Sequence, residues 1–291
     1  MKMTDYQILK AASTAGYALI DSGEGEKLER FGDFTVSRPD PQALWPKRQD
    51  RSIWEKSDAF FSTTGRGGWQ TRRTLPDHWP IEYAGLKFWI KLSAFKHTGI
   101  FPEHAPSWAW LQDKIKNAKR PIKVLNLFGY TGGASLAAAR AGAAVTHLDA
   151  SKVAVSWARD NAALSDLAAK PIRWLVDDGL SFVKRELRRK NYYEGIIMDP
   201  PAFGRGPKGE VWKIEENFLE LLSSAHELLS SKPLLFLVNG YASGYSAIAY
   251  KNNLETLTRG RGGPVEFGEL TISELDSPRL LPGGIFARWS A

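Results

Sequence analysis

Residues 124–133, VLNLFGYTGG, indicate how the chain folds. An apolar run stops at Gly129, and the pair Gly132 and Gly133 opens an alanine-rich stretch at residues 134–141. This order predicts a buried strand, a tight turn and the N-terminus of a helix. Backbone N–H groups at such a terminus have no intrahelical partner, and glycine lets a ligand approach them closely. We therefore expect the turn to bind a cofactor.

From this stretch onward, apolar runs alternate with helical patterns. Strands are predicted at 124–128, 145–148, 172–176, 195–198 and 234–238, and helices at 134–141, 152–164, 180–190, 215–229 and 245–258. Such alternation predicts an α/β fold, a doubly wound, mostly parallel sheet of Rossmann-like type with helices on both faces. Residues 265–272 and 285–289 flank a proline and glycine connection, which predicts an antiparallel C-terminal strand pair.

The first 95 residues have the pattern of a separate module. Short β-prone runs at 17–20, 31–36 and 88–92 predict a small β-rich, Trp-rich N-terminal domain at 1–95, then a connecting loop and helix at 96–120 and the α/β domain at 121–291. Its tryptophans alternate with Arg51, Arg66, Arg72 and Arg73. They form either a stacking surface for RNA or, as we favour, the core of a small module.

The composition and charge of the chain limit the classes of function that it can have. No apolar run is long enough to cross a bilayer and the N-terminus has no signal-peptide core, so a cytoplasmic location is expected. The net charge of +7 and pI near 9.4 favour an acidic partner such as nucleic acid, or reflect a solvated basic surface. There is no cysteine to form disulfides or act as a nucleophile. His97 and His104 lack a third ligand at metal-binding spacing, so no metal site is predicted.

Acidic residues follow the predicted strands. In doubly wound sheets, ligands bind outside the carboxyl ends of the strands. Asp149 follows the second strand, where it is placed either to accept both hydroxyls of a ribose or to cap the next helix. Asp178 follows the third, where it is placed to accept from an adenine amino group or to cap a helix. GYTGG does not match the GxGxxG pattern that serves a pyrophosphate, which favours a nucleoside cofactor without phosphates.

Together, NLFGYTGG, LDAS, DDGLSF and MDPPAF resemble the class I S-adenosylmethionine-dependent methyltransferases, in particular the bacterial ribosomal RNA large-subunit methyltransferase I-like group. The resemblance covers about residue 95 to the C-terminus. The N-terminal stretch ALIDSGEGEKLERFGDF, with RPDPQALWP, looks like a branch of that group without a PUA-like RNA-binding domain. The resemblance implies S-adenosyl-L-methionine as the cofactor and RNA, ribosomal RNA above all, as the partner.

The resemblance also implies roles for individual residues. Tyr130, Thr131 and Gly132 would face the methionine moiety, Asp149 the ribose and Asp178 the adenine. HTGIFPEH stands where the group has KTG followed by DQR, a segment that helps enclose the cofactor; here His97 replaces the lysine. The full predicted set of cofactor-binding residues is Phe101, Glu103, Asn126, Phe128, Tyr130, Thr131, Gly132, Asp149, Ser151 and Asp178.

DPPAF, residues 199–203, suggests the chemistry. Two consecutive prolines stiffen the turn and remove two N–H donors, leaving the Asp199 carboxylate and the Pro200 carbonyl as acceptors. These acceptors would orient an amine or amide nitrogen, and Phe203 would stack on a flipped base. Asp199, Pro200 and Phe203 are therefore the predicted catalytic residues. Alternatively, DPPAF is a strand-terminating turn with Phe203 in the core.

The reaction expected is methylation of a nitrogen of an RNA base. Methylation of cytosine C5 requires a thiolate, which this chain lacks. Arg205 and Lys208 are predicted to contact substrate phosphates, or are solvated loop charges. Lys184, Arg185, Arg188 and Arg189 are interpreted as a solvated helix face. The alternatives are a protein or small-molecule N-methyltransferase and a catalytically silent RNA-binding module.

Overall fold

The computed structural model describes residues 5–64, 67–93, 96–241 and 244–291. These residues form two compact units. The first contains residues 5–9, 106–269 and 284–291, and the second contains 10–105 and 270–283. The division into domains at residues 95 and 120 stays a prediction. No helix in the described ranges is long and apolar enough to cross a membrane.

The secondary structure alternates as expected after residue 120. The strands are β1 Tyr6–Ala11, β2 Tyr17–Gly23, β3 Glu26–Phe31, β4 Phe34–Pro39, β5 Ala59–Ser62, β6 Gly68–Thr71, β7 Trp79–Tyr83, β8 Leu86–Ile90, β9 Lys123–Leu127, β10 Ala144–Asp149, β11 Ile172–Val176, β12 Gly195–Met198, β13 Phe203–Arg205, β14 Val211–Lys213, β15 Leu235–Gly240, β16 Val265–Ser273 and β17 Leu280–Ser290. The helices are α1 Arg51–Glu55, α2 Ala105–Asn117, α3 Gly133–Arg140, α4 Lys152–Leu164, α5 Gly179–Arg189, α6 Ile214–Glu227 and α7 Ala247–Thr258.

The main sheet has the order β1-β16-β17-β15-β12-β9-β10-β11. The run β15-β12-β9-β10-β11 is parallel, and β17 is antiparallel to β15. The predicted fold is therefore confirmed: a mostly parallel Rossmann-like sheet with an antiparallel C-terminal strand pair. The outer strand β1 was not predicted. It alternates exposed and partly buried residues at the sheet edge, which leaves only a weak apolar pattern.

The core of the first unit lies between the central strands and the helices that cover them. Because β12 is fully buried and β9 nearly so, both read as almost continuous apolar runs, as strands covered on two faces must. Helices α5 and α6 pack on one another and close one face of the sheet. Because these strands and helices bury their apolar side chains against one another, the carboxyl ends of the strands are held in fixed register.

The second unit contains the five-stranded sheet β2-β3-β4-β5-β6 and the hairpin β7-β8. The single strand predicted at 31–36 is wrong. Residues 31 and 34 belong to different strands, joined by a tight turn in which Gly32 has φ of +61°. Glycine at positive φ reverses the chain there without steric cost.

The tryptophans of the second unit serve its core and turns. Trp54 and Trp79 are buried, and Trp79 donates to the carbonyl oxygen of Phe31 at 2.9 Å. The arginines between them have protein partners. Arg51 pairs with Glu55, Arg73 pairs with Asp58, and Arg72 donates to the Ser57 hydroxyl; Arg66 lies outside the described residues. These contacts favour the core-filling interpretation over an RNA-stacking surface.

Candidate active site

The predicted acids lie along one edge of the parallel sheet. Leu127 at the end of β9 is in register with Leu148 of β10 and Met198 of β12. Asp149 is in register with Val176, the last residue of β11. The chain segments that follow these strands, which contain the turn after β9 and the three acidic positions, therefore leave the sheet side by side. This carboxyl edge is where ligands of such folds bind.

The turn after β9 has a strained backbone. Phe128 and Tyr130 have φ of +57° and +46°, and Gly132 has φ of +96°. Positive φ is uncommon for residues with a Cβ and concentrates at sites where surrounding contacts hold the backbone. A Cβ added to Gly132 would lie 3.1 Å from the Cβ of Ala158, so the turn packs closely on α4. This packing and the left-handed conformation both favour glycine at 132.

Asp149 braces that turn. One carboxylate oxygen accepts the Tyr130 N–H at 2.8 Å, and the other accepts the Ser151 N–H at 2.8 Å. Burial raises the pKa of Asp149, while the hydrogen bonds from Ser151 and Tyr130 oppose the rise. The cap of α4 is Ser151, whose hydroxyl accepts from the Ala154 N–H at 3.2 Å. The helix-cap alternative for Asp149 is therefore wrong.

Asp178 does cap a helix. Its Oδ1 accepts the Ser181 N–H at 2.8 Å in the first turn of α5. The neighbouring Asp177 accepts the Asp178 N–H at 2.9 Å and pairs with Arg185. The capping bond uses one oxygen of Asp178, and a carboxylate has lone pairs on both. Capping and recognition of an amino group are thus compatible at this residue.

A small cavity lies at this edge. It is lined by Phe128, Leu148, Asp149, Ala150, Asp177, Asp178, Gly179, Gly204, Arg205, Gly206 and Trp212. Four of the residues predicted as cofactor or substrate contacts meet here: Phe128, Asp149, Asp178 and Arg205. A Cβ added to Gly179 would lie 3.3 Å from the Phe128 ring, so glycine keeps room beside that ring.

The sequence interpretation missed the hairpin β13-β14, which supplies part of the cavity wall. Trp212 of this hairpin packs on Phe128 with ring centroids 5.2 Å apart, and its indole donates to the Pro201 carbonyl at 2.6 Å. The signal was present in the sequence: FGR and VWK are two short β-prone runs around a proline and glycine turn. Each run has three residues, too few for a reliable prediction.

The DPPAF turn is held from both sides. The Pro201 carbonyl binds Trp212, and the Ala202 carbonyl accepts the Ile214 N–H at 3.0 Å. Pro200 is buried, whereas 56% of Phe203 is exposed. The alternative that places Phe203 in the core is therefore wrong. The turn presents an exposed aromatic ring a few residues after Asp199.

Two predicted cofactor contacts lie behind the turn instead of in the cavity wall. Asn126 is buried and donates to the Ser135 hydroxyl at 2.9 Å, which in turn lies 2.9 Å from Nδ1 of His147. Burial lowers the pKa of His147 to about 3, so this imidazole is neutral at physiological pH. Thr131 is buried, and its carbonyl accepts from Asn161 at 2.9 Å. These contacts hold the turn against the rest of the unit. A direct contact of Asn126 or Thr131 with a cofactor stays a prediction.

Phe101 and Glu103 belong to the second unit, where their assignment as cofactor contacts stays a prediction. Glu103 is buried, and burial raises its pKa while His104 and Lys27 oppose the rise. Lys208 lies in the turn of the β13-β14 hairpin, where its N–H donates to Glu210 at 2.8 Å, away from the cavity wall. Of the predicted substrate-binding pair, only Arg205 lines the cavity.

The basic face of α5 is largely paired within the protein. Lys184 lies 2.6 Å from Glu220, Arg185 pairs with Asp177, and Arg189 lies 3.2 Å from Glu186. These contacts agree with the interpretation of this face as a solvated helix face.

The chain is similar to proteins of known family and fold. Residues 57–255 match the family model described as S-adenosylmethionine-dependent methyltransferase. A crystal structure of the SAM-dependent methyltransferase from Agrobacterium tumefaciens is similar over 98% of this chain and 93% of its own, with 42% identity and a TM-score of 0.93. The structure of SMU.776 complexed with SAH shares the fold, with a TM-score of 0.73 and 18% identity over 95% of this chain and 76% of its own.

Curated relatives are similar over a part of their length. Ribosomal RNA large subunit methyltransferase K/L of Shewanella frigidimarina is 35% identical over 160 residues, which is 54% of this chain and 22% of that protein. Ribosomal RNA large subunit methyltransferase K of Neisseria meningitidis serogroup B is 27% identical over 205 residues, 70% of this chain and 54% of that protein. The chain therefore spans between about a fifth and about half of these relatives.

Proposed function

The chain belongs to the S-adenosylmethionine-dependent methyltransferase family, and we propose that it methylates a nitrogen atom of a base in ribosomal RNA. The observation that carries this proposal is the braced DPPAF turn. It combines the Asp199 carboxylate, the Pro200 carbonyl and the exposed ring of Phe203 after strand β12, and the Pro201 carbonyl is fixed by Trp212.

The residues of the carboxyl edge fit S-adenosylmethionine. Each oxygen of Asp149 already accepts one N–H, and since a carboxylate has about four acceptor sites, both oxygens retain capacity for ribose hydroxyls. Asp178 lines the same cavity and has an acceptor for an adenine amino group. The acids of this edge also favour a cationic ligand, and the cofactor, when bound, supplies a methyl group on a positively charged sulfur.

Asp199, Pro200 and Phe203 would position the methyl acceptor. An exocyclic amine or amide nitrogen has hydrogens to donate, and the Asp199 carboxylate and the Pro200 carbonyl are acceptors for them. Phe203 is exposed enough to stack on a planar base. The binding of Pro201 to Trp212 stiffens the turn, so the residues contribute chiefly by orientation.

Two further observations support nitrogen of RNA over other acceptors. The sequence has no cysteine, so it lacks the thiolate that cytosine C5 methylation needs. The relatives from Shewanella frigidimarina and Neisseria meningitidis are by name ribosomal RNA methyltransferases. The positive net charge is in keeping with an RNA substrate, and a cytoplasmic location stays a prediction.

The proposal is tested by comparing the modified nucleosides of ribosomal RNA from deletion and parent strains by mass spectrometry. We expect one N-methylated nucleoside to disappear in the deletion strain and to return when purified protein and S-adenosylmethionine are added to that RNA. An unchanged profile would contradict the proposal and favour a protein or small-molecule acceptor. Calorimetry tests the remaining alternative, a catalytically silent RNA-binding module, because such a module would not bind S-adenosylmethionine.

A further inference from the structure

A second groove lies in the first unit at the opposite, amino edge of the parallel sheet. It is bordered by residues at the start of β9, β10 and β11 and by the segment that leads into β12. These residues are Lys123, Ala144, Val145, Thr146, Lys170, Pro171, Ile172, Arg173, Asn191 and Tyr193. Nothing in the candidate active site uses this groove.

The rim of the groove is basic. The side chains of Lys123, Lys170 and Arg173 are exposed around it. Close to it, Glu194 accepts the Lys123 N–H at 2.8 Å, so this acid binds the backbone at the start of β9.

Glu186 is buried next to the groove, and its carboxylate forms its hydrogen bonds within the protein. Glu186 accepts the hydroxyl of Tyr193 at 2.8 Å, pairs with Arg189 at 3.2 Å and binds Asn191. Burial acts to raise the pKa of Glu186, but these hydrogen bonds, together with the positive charge of Arg173, outweigh it and hold the pKa below its usual value. Four cations, Lys123, Lys170, Arg173 and Arg189, stand against the carboxylates of Glu186 and Glu194, so the groove is positive overall.

The two edges of the sheet therefore differ in the charge of the ligand they suit. Asp149, Asp177, Asp178 and Asp199 stand at the carboxyl edge, where Arg205 is the cation of the cavity wall, so that edge offers few cations for phosphates beyond those next to the methylated base. A polyanionic substrate that presents one base at that edge gains its electrostatic affinity from cations elsewhere. The amino-edge groove offers such cations on a surface with apolar walls formed by Pro171 and Ile172.

We propose that the amino-edge groove binds backbone phosphates of the RNA substrate at nucleotides away from the methylated one. Lys123, Lys170 and Arg173 would bind the phosphates, and the apolar walls would contact ribose. The proposal rests on RNA being the substrate, as proposed above. Because β10 has six residues at about 3.3 Å each, the two edges are about 20 Å apart. At about 3.4 Å per stacked nucleotide, this distance corresponds to about six nucleotides, so the phosphates at the groove belong to nucleotides several positions from the methylated one or to another part of a folded RNA.

The test compares two double variants with equal loss of charge. Lys170→Ala with Arg173→Ala removes two groove cations, and Arg159→Ala with Arg259→Ala removes two exposed cations elsewhere in the same unit. The probe is an unmodified transcript of large-subunit ribosomal RNA, with binding measured over a series of KCl concentrations. Methyl transfer from labelled S-adenosylmethionine gives KM and kcat, and calorimetry gives the cofactor affinity.

For the groove variant we expect about tenfold weaker RNA binding, a KM for RNA raised by a similar factor and a salt dependence shallower by about 1.5 in slope. Its kcat and cofactor affinity should stay within about twofold of wild type. The control variant should resemble wild type.

If the groove variant matches the control while wild type methylates the transcript, the groove proposal is wrong and the proposed function stands. If wild type transfers no methyl group to RNA, the proposed function fails, and the RNA assigned to the groove fails with it.

Discussion

At the carboxyl edge of the parallel strands, aspartates lie at the end of β10 and just after β11 and β12, beside a strained turn, whereas at the amino edge exposed cations border an open groove. The carboxyl edge is braced: Asp149, Asp178 and the Pro201 carbonyl all accept hydrogen bonds from neighbouring segments. The cations of the amino edge project from the starts of strands and from loops. This difference suits a positioned cofactor at one edge and a polyanion such as RNA at the other.

The acidic residues at the two edges also differ in what they bind. Asp149 and Asp178 each satisfy local backbone groups and line a cavity. Glu186, near the amino edge, satisfies side chains and stays buried below its groove. Substitutions at the carboxyl edge should therefore alter cofactor binding or turnover, whereas those at the amino-edge rim should alter RNA affinity.

The largest effect is expected for Asp199→Ala. Because Asp199 is assigned to orient the acceptor, turnover should fall by about 100-fold or more, while cofactor affinity stays within a few fold. Single-turnover methyl transfer and calorimetry measure the two quantities. Asp160→Ala, which removes an exposed acid from α4, is the matched control and should behave as wild type. Unchanged turnover of Asp199→Ala would remove the role assigned to this residue.

The next effect is expected for Asp149→Ala. Loss of charged hydrogen bonds to the ribose should weaken S-adenosylmethionine binding by about 10- to 100-fold in calorimetry. Asp160→Ala provides the comparison, since it removes one exposed carboxylate from the adjoining helix α4 while leaving Asp149 in place. Equal loss of affinity in both variants would show that Asp149 acts through its charge alone and not by a contact with the cofactor.

The pH dependence of cofactor binding should show the titration of Asp149. Ribose hydroxyls donate to the ionised carboxylate, so affinity should fall as the pH falls and the acid takes up a proton. Because burial raises its pKa, the fall should begin above the range of an ordinary aspartate, whose pKa is about 3.9. Calorimetry between pH 8 and 5 measures this, and Asp149→Asn should flatten the profile. A flat wild-type profile would contradict the assignment.

The smallest effect is expected for Trp212→Phe. This change keeps an aromatic ring against Phe128 but removes the indole donor to the Pro201 carbonyl. A loss of about 1 kcal/mol of support for the turn should reduce kcat by about threefold to tenfold and leave the affinity for RNA unchanged. Steady-state kinetics with the ribosomal RNA transcript tests this. An altered RNA affinity without a change in kcat would assign Trp212 to RNA binding instead.

The residues that end the strands could be predicted because their signals are local. An apolar run followed by glycine or by an acid marks the end of a buried strand, and parallel alternation brings all such ends to one edge. The positions of Asp149, Asp178 and Asp199 follow from this. The strand β1 and the hairpin β13-β14 were missed because their short, partly exposed runs carry no clear periodicity.

The sequence by itself determined the parallel sheet, the glycine turn, the order of the acids and the lack of a thiol, since each depends on neighbouring residues or on composition. Only the tertiary structure decided that Asp149 braces the turn at Tyr130, that Trp212 closes the cavity and that Lys170 and Arg173 share a groove with Tyr193. These contacts join residues far apart in the chain, and side-chain packing, which no local pattern encodes, selects them.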